Sequence, residues 1–145
     1  MTQEDIKLVL VDLCGRLPYG VKVKLENDNR LYQLLMLHPR NDAAMIGLLF
    51  EGKDIEESYV AVRVHISNLK PYLRPMSSMT EVEVKELYML LFRVERLGIP
   101  DISKGQNAIS LLYDWLNKKM FDYRGLIEKG LALEAPEDMY KEEQQ

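Results

Sequence analysis

The feature that most constrains this chain is the stretch from Val21 to Ile66, in which apolar side chains recur at a period of about two. Four segments have the alternation or the continuous apolar content of β-strands: residues 21–26, 30–38, 45–50 and 59–66. Polar turns join them, and no helical period separates them. Parallel strands need a long, usually helical crossover between them, so the sequence predicts an antiparallel sheet and excludes a doubly wound parallel one.

Helical patterns flank the sheet on both sides. Thr2 caps a first helix that Gly15 and Pro18 end. After the sheet, a connector with Pro71 and Pro75 allows at most a fifth, edge strand. Three helices then follow: one from the capping box Thr80-x-x-Glu83 to Gly98, one from the capping box Ser103-x-x-Gln106 to residue 119, and a short one from Asp122 to Gly130.

The predicted fold class is therefore α+β, with an N-terminal helix, an antiparallel sheet of about four to five strands and a C-terminal cluster of three helices. If the connector pairs, the strands can also curl into a small SH3-like barrel. Residues 1–134 are predicted to form a single domain. Residues 135–145 are acidic and almost without apolar side chains, and we expect a frayed tail because they cannot offset the entropy cost of ordering.

Composition narrows the classes of function. The 145 residues carry a net charge of −4 and a single cysteine, Cys14, which excludes an intramolecular disulfide and any cysteine-cluster metal site. No apolar run is long enough to span a bilayer, and Glu4 and Asp5 stand where a signal peptide would be basic. We expect a cytoplasmic protein. The acidity lies at the two ends, while residues 16–75 sum to +2.

No sequence motif indicates catalysis, and we predict no catalytic residue, metal site or cofactor. The two histidines, His38 and His65, have no ligand spacing between them or with nearby acids. Cys14 lies at the C-terminal end of its helix, whereas a helix activates a catalytic thiol at its N-terminal end. We expect it to be a buried structural residue, and an enzyme is the least favoured class.

A nucleic-acid-binding module is the alternative function. If the first and fourth strands are neighbours, the side chains on their polar faces form one cationic surface that the connector continues. Its residues are Lys22, Lys24, Arg63, His65 and Lys70. Solvated sheet faces are normally charged, however, and the tyrosines lack the spacing of a base-stacking module.

The favoured prediction is a protein-interaction module, and it depends on the helix at residues 80–97. We assign Val84, Leu87, Tyr88, Leu91 and Val94 to its main apolar stripe. A second apolar side then comprises Met89, Leu90, Phe92 and Leu97. A helix that is apolar on nearly all sides needs two partners. One is the sheet, and the other is either the helix at 103–119 or a second copy of the chain, which would make a homo-oligomer.

Three stretches carry a family resemblance: Met1–Lys24 with its Arg16-Leu17-Pro18-Tyr19-Gly20 corner, the connector Lys70–Thr80, and Phe121–Ala132. They resemble a family of small uncharacterised proteins of gut Bacteroidales and their phages or prophages. No activity is assigned to that family, so the resemblance implies a bacterial cytoplasmic setting and a mobile-element origin, where small proteins often bind host or phage proteins.

Within these stretches, the best candidates for partner binding are Tyr72, Arg74, Tyr123 and Arg124. They combine aromatic area with planar cationic donors, the types that dominate interface hot spots. The alternative is that all three stretches are corners that define the fold.

Overall fold

The structure is a computed structural model that describes residues 1–49, 60–97 and 108–141. Three α-helices are present in these ranges: α1 (Gln3–Arg16), α2 (Glu81–Leu97) and α3 (Ala108–Lys118). The strands are β1 (Lys22–Leu25), β2 (Leu31–His38), β3 (Ala43–Leu48), β4 (Ala61–His65), β5 (Leu69–Leu73) and β6 (Leu133–Glu134). The α+β class is confirmed.

The strands form one sheet in the order β4-β3-β2-β1-β5-β6. The first four strands make the predicted antiparallel meander, and β5 returns to pair antiparallel with β1. β6 pairs parallel with β5, so the sheet is mixed and has one strand more than predicted. Two residues of β6 take part in this pairing, too few for an alternation signal in the sequence.

The connection from β4 to β5 forces the sheet to curl. Four strand spacings separate β4 from β5 in the hydrogen-bonded order, about 19 Å in a flat sheet. Only the 3₁₀ turn Ile66–Asn68 joins them, and it spans roughly 14 Å at most. This turn bridges the gap: Ile66 N donates to Asp42 O (2.7 Å) and Asn68 O accepts from Glu26 N (2.7 Å). In the described residues β4 and β5 do not pair. The sheet is therefore curved, but the described strands do not close into the small barrel that the sequence analysis considered as an alternative.

The core lies between the sheet and α1. Cross-strand neighbours such as Val23, Tyr32 and Leu48 share this buried face. α1 adds one stripe of fully buried or nearly buried side chains: Ile6, Val9 and Leu13. Its N-terminus has the predicted Thr2 cap, and Thr2 forms a reciprocal capping box with Asp5.

Pro71 occurs inside the sheet, between β1 and β6, although its ring removes a backbone donor. Glu26 N bonds to Asn68 O, and antiparallel ladders alternate between bonded and non-bonded pairs. The pair Val23–Pro71 is therefore non-bonded, with the proline nitrogen facing away from β1. β6 begins its pairing only at Tyr72, so no ladder bond needs the missing donor.

The predicted helix from Asp122 to Gly130 is wrong. Residues 122–130 form turns, and both Gly125 and Gly130 have positive φ (73° each). The Asp122 carboxylate accepts bonds from Leu126 N (2.8 Å) and Ile127 N (2.9 Å), which holds the turn in place. Two left-handed glycines five residues apart leave no room for a helix between them.

Residues 135–141 differ from the predicted frayed tail because Tyr140 anchors them. The Tyr140 hydroxyl accepts from Lys22 N (2.9 Å) and donates to Tyr72 O (2.8 Å). Those two backbone groups would form the next rung of the β1–β5 ladder, so the hydroxyl bridges the strands where they diverge. One half-buried aromatic ring thus orders a segment whose composition otherwise favours disorder.

Several expected features lie outside the described residues. They are the end of the third strand at residue 50, the loop at 51–58, the stop at Gly98, the capping box at Ser103 and residues 142–145. Among the described helices, none combines the length and the apolar character that crossing a bilayer requires.

Candidate protein-interaction site

The start of α2 is fixed to the sheet edge by a capping box and an ion pair. Glu83 N donates to Thr80 Oγ1 (3.2 Å), and Glu83 Oε1 accepts from Thr80 N (3.0 Å), as the sequence predicts. The same carboxylate receives both terminal nitrogens of Arg74, at 2.8 Å and 2.7 Å. Such a bidentate pair sets direction as well as distance.

The charge pair shifts the titration of Glu83. The Arg74 guanidinium lowers the pKa of the Glu83 carboxyl from 4.5 to about 2, against the opposing effect of burial. Arg74 is itself held, because its Cζ lies 4.2 Å from the Phe121 ring centroid and its backbone bonds to Met120 and Asp122. The first turn of α2 is therefore rigidly attached to the body.

One side of α2 packs against α3. Among residues 81–96, Glu83 is buried, and the half-buried residues on the same side of the helix are Val84, Glu86, Leu87, Leu90 and Val94. Trp115 Nε1 of α3 donates to Glu86 Oε2 (2.8 Å) at the margin of this face. Of the main apolar stripe predicted from the sequence, Val84, Leu87 and Val94 lie on this side. Tyr88 and Leu91 are exposed instead, and Leu90 lies on the inner side.

α3 continues the attachment to α1. A β-carbon placed on Gly15 would lie 2.8 Å from Asn117 Nδ2, so α1 and α3 approach closely at this glycine. Asn117 also accepts the Tyr123 hydroxyl at 2.8 Å. The α2–α3 pair is thus fixed at both ends, at Arg74 and at Gly15.

The opposite side of α2 is exposed and largely apolar. Five positions at spacings of three and four run along it: Val82, Lys85, Met89, Phe92 and Arg96. We call these five residues the α2 seam. Val82, Met89 and Phe92 are 65%, 64% and 58% exposed. Three-four spacing keeps side chains on one line of a helix, which is the pattern a partner helix requires.

One more apolar side chain enlarges this surface. Tyr88 is 67% exposed and lies four residues before Phe92, beside the α2 seam, whereas Leu91 follows Leu87 by four residues at the margin of the side that packs on α3. Whole aromatic side chains have about 150–250 Å² of surface and the aliphatic ones less, so the exposed fractions of Val82, Tyr88, Met89 and Phe92 amount to roughly 450 Å². The largest apolar patch on a typical monomer is about 300–600 Å² and often functional. The exposed apolar surface of α2 is within that range.

The predicted partner-binding residues on the connector are engaged within the chain. Tyr72 contributes its carbonyl to the Tyr140 hydroxyl. Arg74 binds Glu83 and also donates to Ser78 O at 3.2 Å. These two residues join β5 to α2 and to the C-terminal segment.

Tyr123 and Arg124 take part in a buried ionic cluster with α1. Arg16 is fully buried and donates to both oxygens of Asp12, at 2.8 Å and 3.0 Å, and to Phe121 O at 2.7 Å. Arg124 Nε lies 3.3 Å from Asp12 Oδ1. The Tyr123 ring is within 5.3 Å and 5.0 Å of the two guanidinium carbons. The cluster holds two cations and one carboxylate, and it ties α1 to residues 121–124.

The predicted cationic surface does not form as one patch. β2 and β3 lie between β1 and β4, so Lys22 and Lys24 are not adjacent to Arg63 and His65. Lys24 does lie directly opposite Lys70. Lys22 Nζ donates to Met139 O (2.8 Å) and sits over the Tyr140 ring. The five residues divide into a group on β1 and β5 and a group on β4.

Cys14 is exposed on α1, contrary to the expected burial. Its neighbours Leu13 and Gly15 are directed to the core and to α3, which leaves position 14 on the outer side. His38 and His65 each lie opposite Ala43 in the sheet, so a strand separates them. In the described ranges no three His, Cys, Asp or Glu side chains converge as metal ligands.

A broad groove of about 1510 Å³ lies between the C-terminal segment and the start of α2. Its walls carry charges of both signs, including Lys118, Lys119, Glu134 and Glu137. Arg74 and Glu83, which also line it, neutralise each other. The groove therefore offers no concentrated charge to an ionic ligand.

Comparison of the chain with protein-family models found no match. Comparisons with curated proteins and with solved structures found none either.

Proposed function

We propose that this chain is a protein-interaction module that binds a helix of a partner through the α2 seam. The observation that carries the proposal is the pair of faces on α2, one packed on α3 and the other exposed with Val82, Met89 and Phe92 at helical spacing. Helix-in-groove and helix-on-helix recognition use anchors at this spacing.

The contacts that attach α2 to the rest of the domain support the same function. A surface that is already held in its binding geometry loses little entropy on association. Arg74 and Glu83 hold the first turn, and Trp115 bonds to Glu86 in the second. The exposed side of α2 is therefore presented on a preorganised helix.

The charged residues of the α2 seam define the chemistry of the partner. Lys85 and Arg96 interrupt the apolar line at its second and last positions. A complementary helix carries apolar anchors opposite Val82, Met89 and Phe92, with acidic side chains near the two cations. The resemblance of the chain ends to a Bacteroidales family supports a bacterial or phage protein as the source of that helix.

Tyr72, Arg74, Tyr123 and Arg124 remain a secondary proposal for partner contacts. Alanine at Arg74 or Arg124 removes an ion pair within the chain, so its first effect is expected on stability. A partner contact is supported if affinity falls while the unfolding midpoint does not. The corner interpretation is supported if both fall together.

Photo-crosslinking tests the proposed function. Benzoylphenylalanine is placed at Phe92, and in a second chain at Val11, an exposed apolar residue on α1 that serves as the matched control. After irradiation in the native host, we expect a polypeptide adduct from position 92 and none from position 11. Met89→Glu in the same chain should abolish the adduct, because it places a carboxylate in the middle of the apolar line.

The absence of any polypeptide adduct at position 92 above the level at position 11 would overturn the proposal. A nuclease-sensitive adduct without protein would instead favour the alternative function, nucleic-acid binding.

A further inference from the structure

We infer that the open edge of β4 binds an extended segment of a partner protein as an added strand, with an acidic side chain of that segment opposite Arg63. This edge is separate from the α2 seam, so the inference does not depend on the proposed function. It would give the chain a second interaction site, at the end of the sheet.

The register of β4 shows which of its backbone groups are directed away from the sheet. Leu48 N donates to Val60 O (2.9 Å) and Ile66 N donates to Asp42 O (2.7 Å), so the pairs that continue the β3–β4 register at its two ends are hydrogen-bonded. Bonded and non-bonded pairs alternate along an antiparallel ladder. The even-numbered residues of β4 therefore bond to β3, and the odd-numbered residues direct their N–H and C=O groups outward.

The outward groups lie at an accessible edge. Ala61, Arg63 and His65 are exposed, and β4 is the last strand of the sheet in the part of the chain that the structure describes. The carbonyl of His65 begins the 3₁₀ turn Ile66–Asn68. The N–H and C=O of Ala61 and Arg63 and the N–H of His65 remain at the open edge. A row of such groups is a template for one more strand.

The side chains of β4 define the pattern of the added strand. Val62 lies opposite the buried Ile46, so Val62 and Val64 are on the core face, where they are half-buried. Arg63 lies opposite Met45 on the outer face. Side chains that are directly opposite each other on paired strands contact on the same face. The added strand therefore carries apolar side chains opposite the two valines and a carboxylate opposite Arg63.

Charge favours an acidic strand of a different protein over a second copy of β4. Arg63 takes part in none of the ion pairs that the described residues form. The outer face of β4 consists of Ala61, Arg63 and His65 and has no carboxylate, so a second β4 supplies no counter-charge in any register. A cation on an edge strand disfavours pairing with an identical strand, whereas an opposite charge directly across from it stabilises the pair.

Binding of a synthetic strand peptide to the full chain tests the inference. The probe is the blocked peptide Thr-Thr-Val-Glu-Val-Thr-Thr, and the matched control peptide has Lys in place of Glu. In a nitrogen–proton correlation spectrum, the amide signals of Ala61, Arg63 and His65 should shift with a dissociation constant of roughly 0.1–1 mM for the Glu peptide. The Lys peptide should bind about three to ten times more weakly.

Two variants separate the contribution of charge from that of backbone pairing. Arg63→Glu should reverse the preference, so that the Lys peptide binds more tightly than the Glu peptide. Lys7→Glu, the same charge reversal on exposed α1, should keep the wild-type preference. Ala61→Pro removes an outward N–H without removing a β3–β4 bond and should weaken the Glu peptide about fivefold. If Ala61→Pro does not fold, Arg63→Glu still decides.

Three results would overturn the inference. The first is the absence of amide shifts in β4 at about 2 mM Glu peptide, or a preference for this peptide that Arg63→Glu leaves unchanged. The second is a set of β4 shifts that grows with protein concentration without peptide, because a second copy then occupies the edge. The third is a set of shifts confined to α2, which would assign the peptide to the α2 seam. The proposed function is judged separately, by the adduct at Phe92.

Discussion

Removing the charge of Glu83 tests whether the Arg74–Glu83 pair holds α2 to the sheet. Glu83→Gln keeps the size of the side chain and an oxygen that can accept from Thr80 N, but the facing guanidinium loses its counter-charge. The pKa of Glu83 falls from 4.5 to about 2 on folding. At about 1.4 kcal/mol for each pH unit, this difference corresponds to an upper limit of about 3 kcal/mol at pH 7.

Screening by solvent makes the contribution of the Arg74–Glu83 pair smaller than this upper limit. The Arg74 side chain is 22% exposed and the Glu83 side chain 9%, so water screens part of the attraction. We expect Glu83→Gln to lower the free energy of unfolding by about 2 kcal/mol at pH 7. Glu81→Gln, an exposed acid in the same helical turn, is the control and should change stability by less than about 0.5 kcal/mol.

The pH dependence of the free energy of unfolding shows whether the loss of stability in Glu83→Gln comes from the ion pair. A carboxyl whose pKa is lowered by folding stabilises the protein fully above its unfolded pKa of 4.5, and this contribution disappears as the pH falls towards the folded pKa of about 2. Urea unfolding of the wild type and Glu83→Gln at several pH values therefore should show a gap that shrinks to less than half at about pH 3. A gap of the same size at pH 7 and pH 3 would refute the ion-pair reasoning and assign the loss to packing.

Three further predictions concern other parts of the chain. Asp12→Asn leaves Arg16 buried without a counter-charge and should cost about 3–5 kcal/mol in urea unfolding, whereas the double variant with Arg16→Met should recover part of the loss. Tyr140→Phe removes the hydroxyl that bridges Lys22 and Tyr72 and should cost about 1–3 kcal/mol, with faster amide exchange at Lys22 in hydrogen-exchange mass spectrometry. Because the cationic residues are divided between a group on β1 and β5 and a group on β4, a DNA or RNA oligomer should show no salt-dependent retention at about 50 mM salt; steep salt-sensitive binding would contradict this.

The sequence predicts local structure well where the contacts that form it join residues close together in the chain. The capping boxes at Thr2 and Thr80 form as expected, because their hydrogen bonds close within three residues. The period-two segments likewise become strands, and the short turns between them make the meander antiparallel.

The features that the sequence does not predict depend on contacts between residues far apart in the chain. β5 pairs with β1 across more than 40 residues of chain, although Pro71 argues for an edge position. Tyr140 orders residues 135–141 through contacts with β1 and β5, which a composition-based prediction of fraying cannot detect. Asp122 resembles a helix cap, but its carboxylate instead closes a turn next to Gly125.

The candidate site was recognised in part. The sequence predicts two apolar sides on α2 and leaves open which of them packs on the helix at 103–119; in the structure Met89 and Phe92 are exposed. It does not show which stripe faces the body, because Tyr88, Leu90 and Leu91 fit either stripe by spacing alone. The missing signal was the buried Glu83, whose capping bonds and ion pair fix the rotation of the helix.

The bonds made by Arg16 and by Lys22 also set the order in which the chain can be completed during synthesis. Arg16 reaches its carbonyl partner 105 residues later, and Lys22 reaches Tyr140 118 residues later. At about 5–20 residues per second, the ribosome needs roughly 6–24 s to make the second interval. Until residue 121 is made, the Arg16 guanidinium lacks its bond to Phe121 O and has only Asp12 to bind. Until residue 140 is made, Lys22 N lacks its bond to the Tyr140 hydroxyl. The first elements of the domain, α1 and β1, therefore complete their contacts only when residues 121 and 140 have been made. A nascent chain halted before residue 121 should remain sensitive to protease, and a chain long enough for residue 140 to leave the exit tunnel should be resistant.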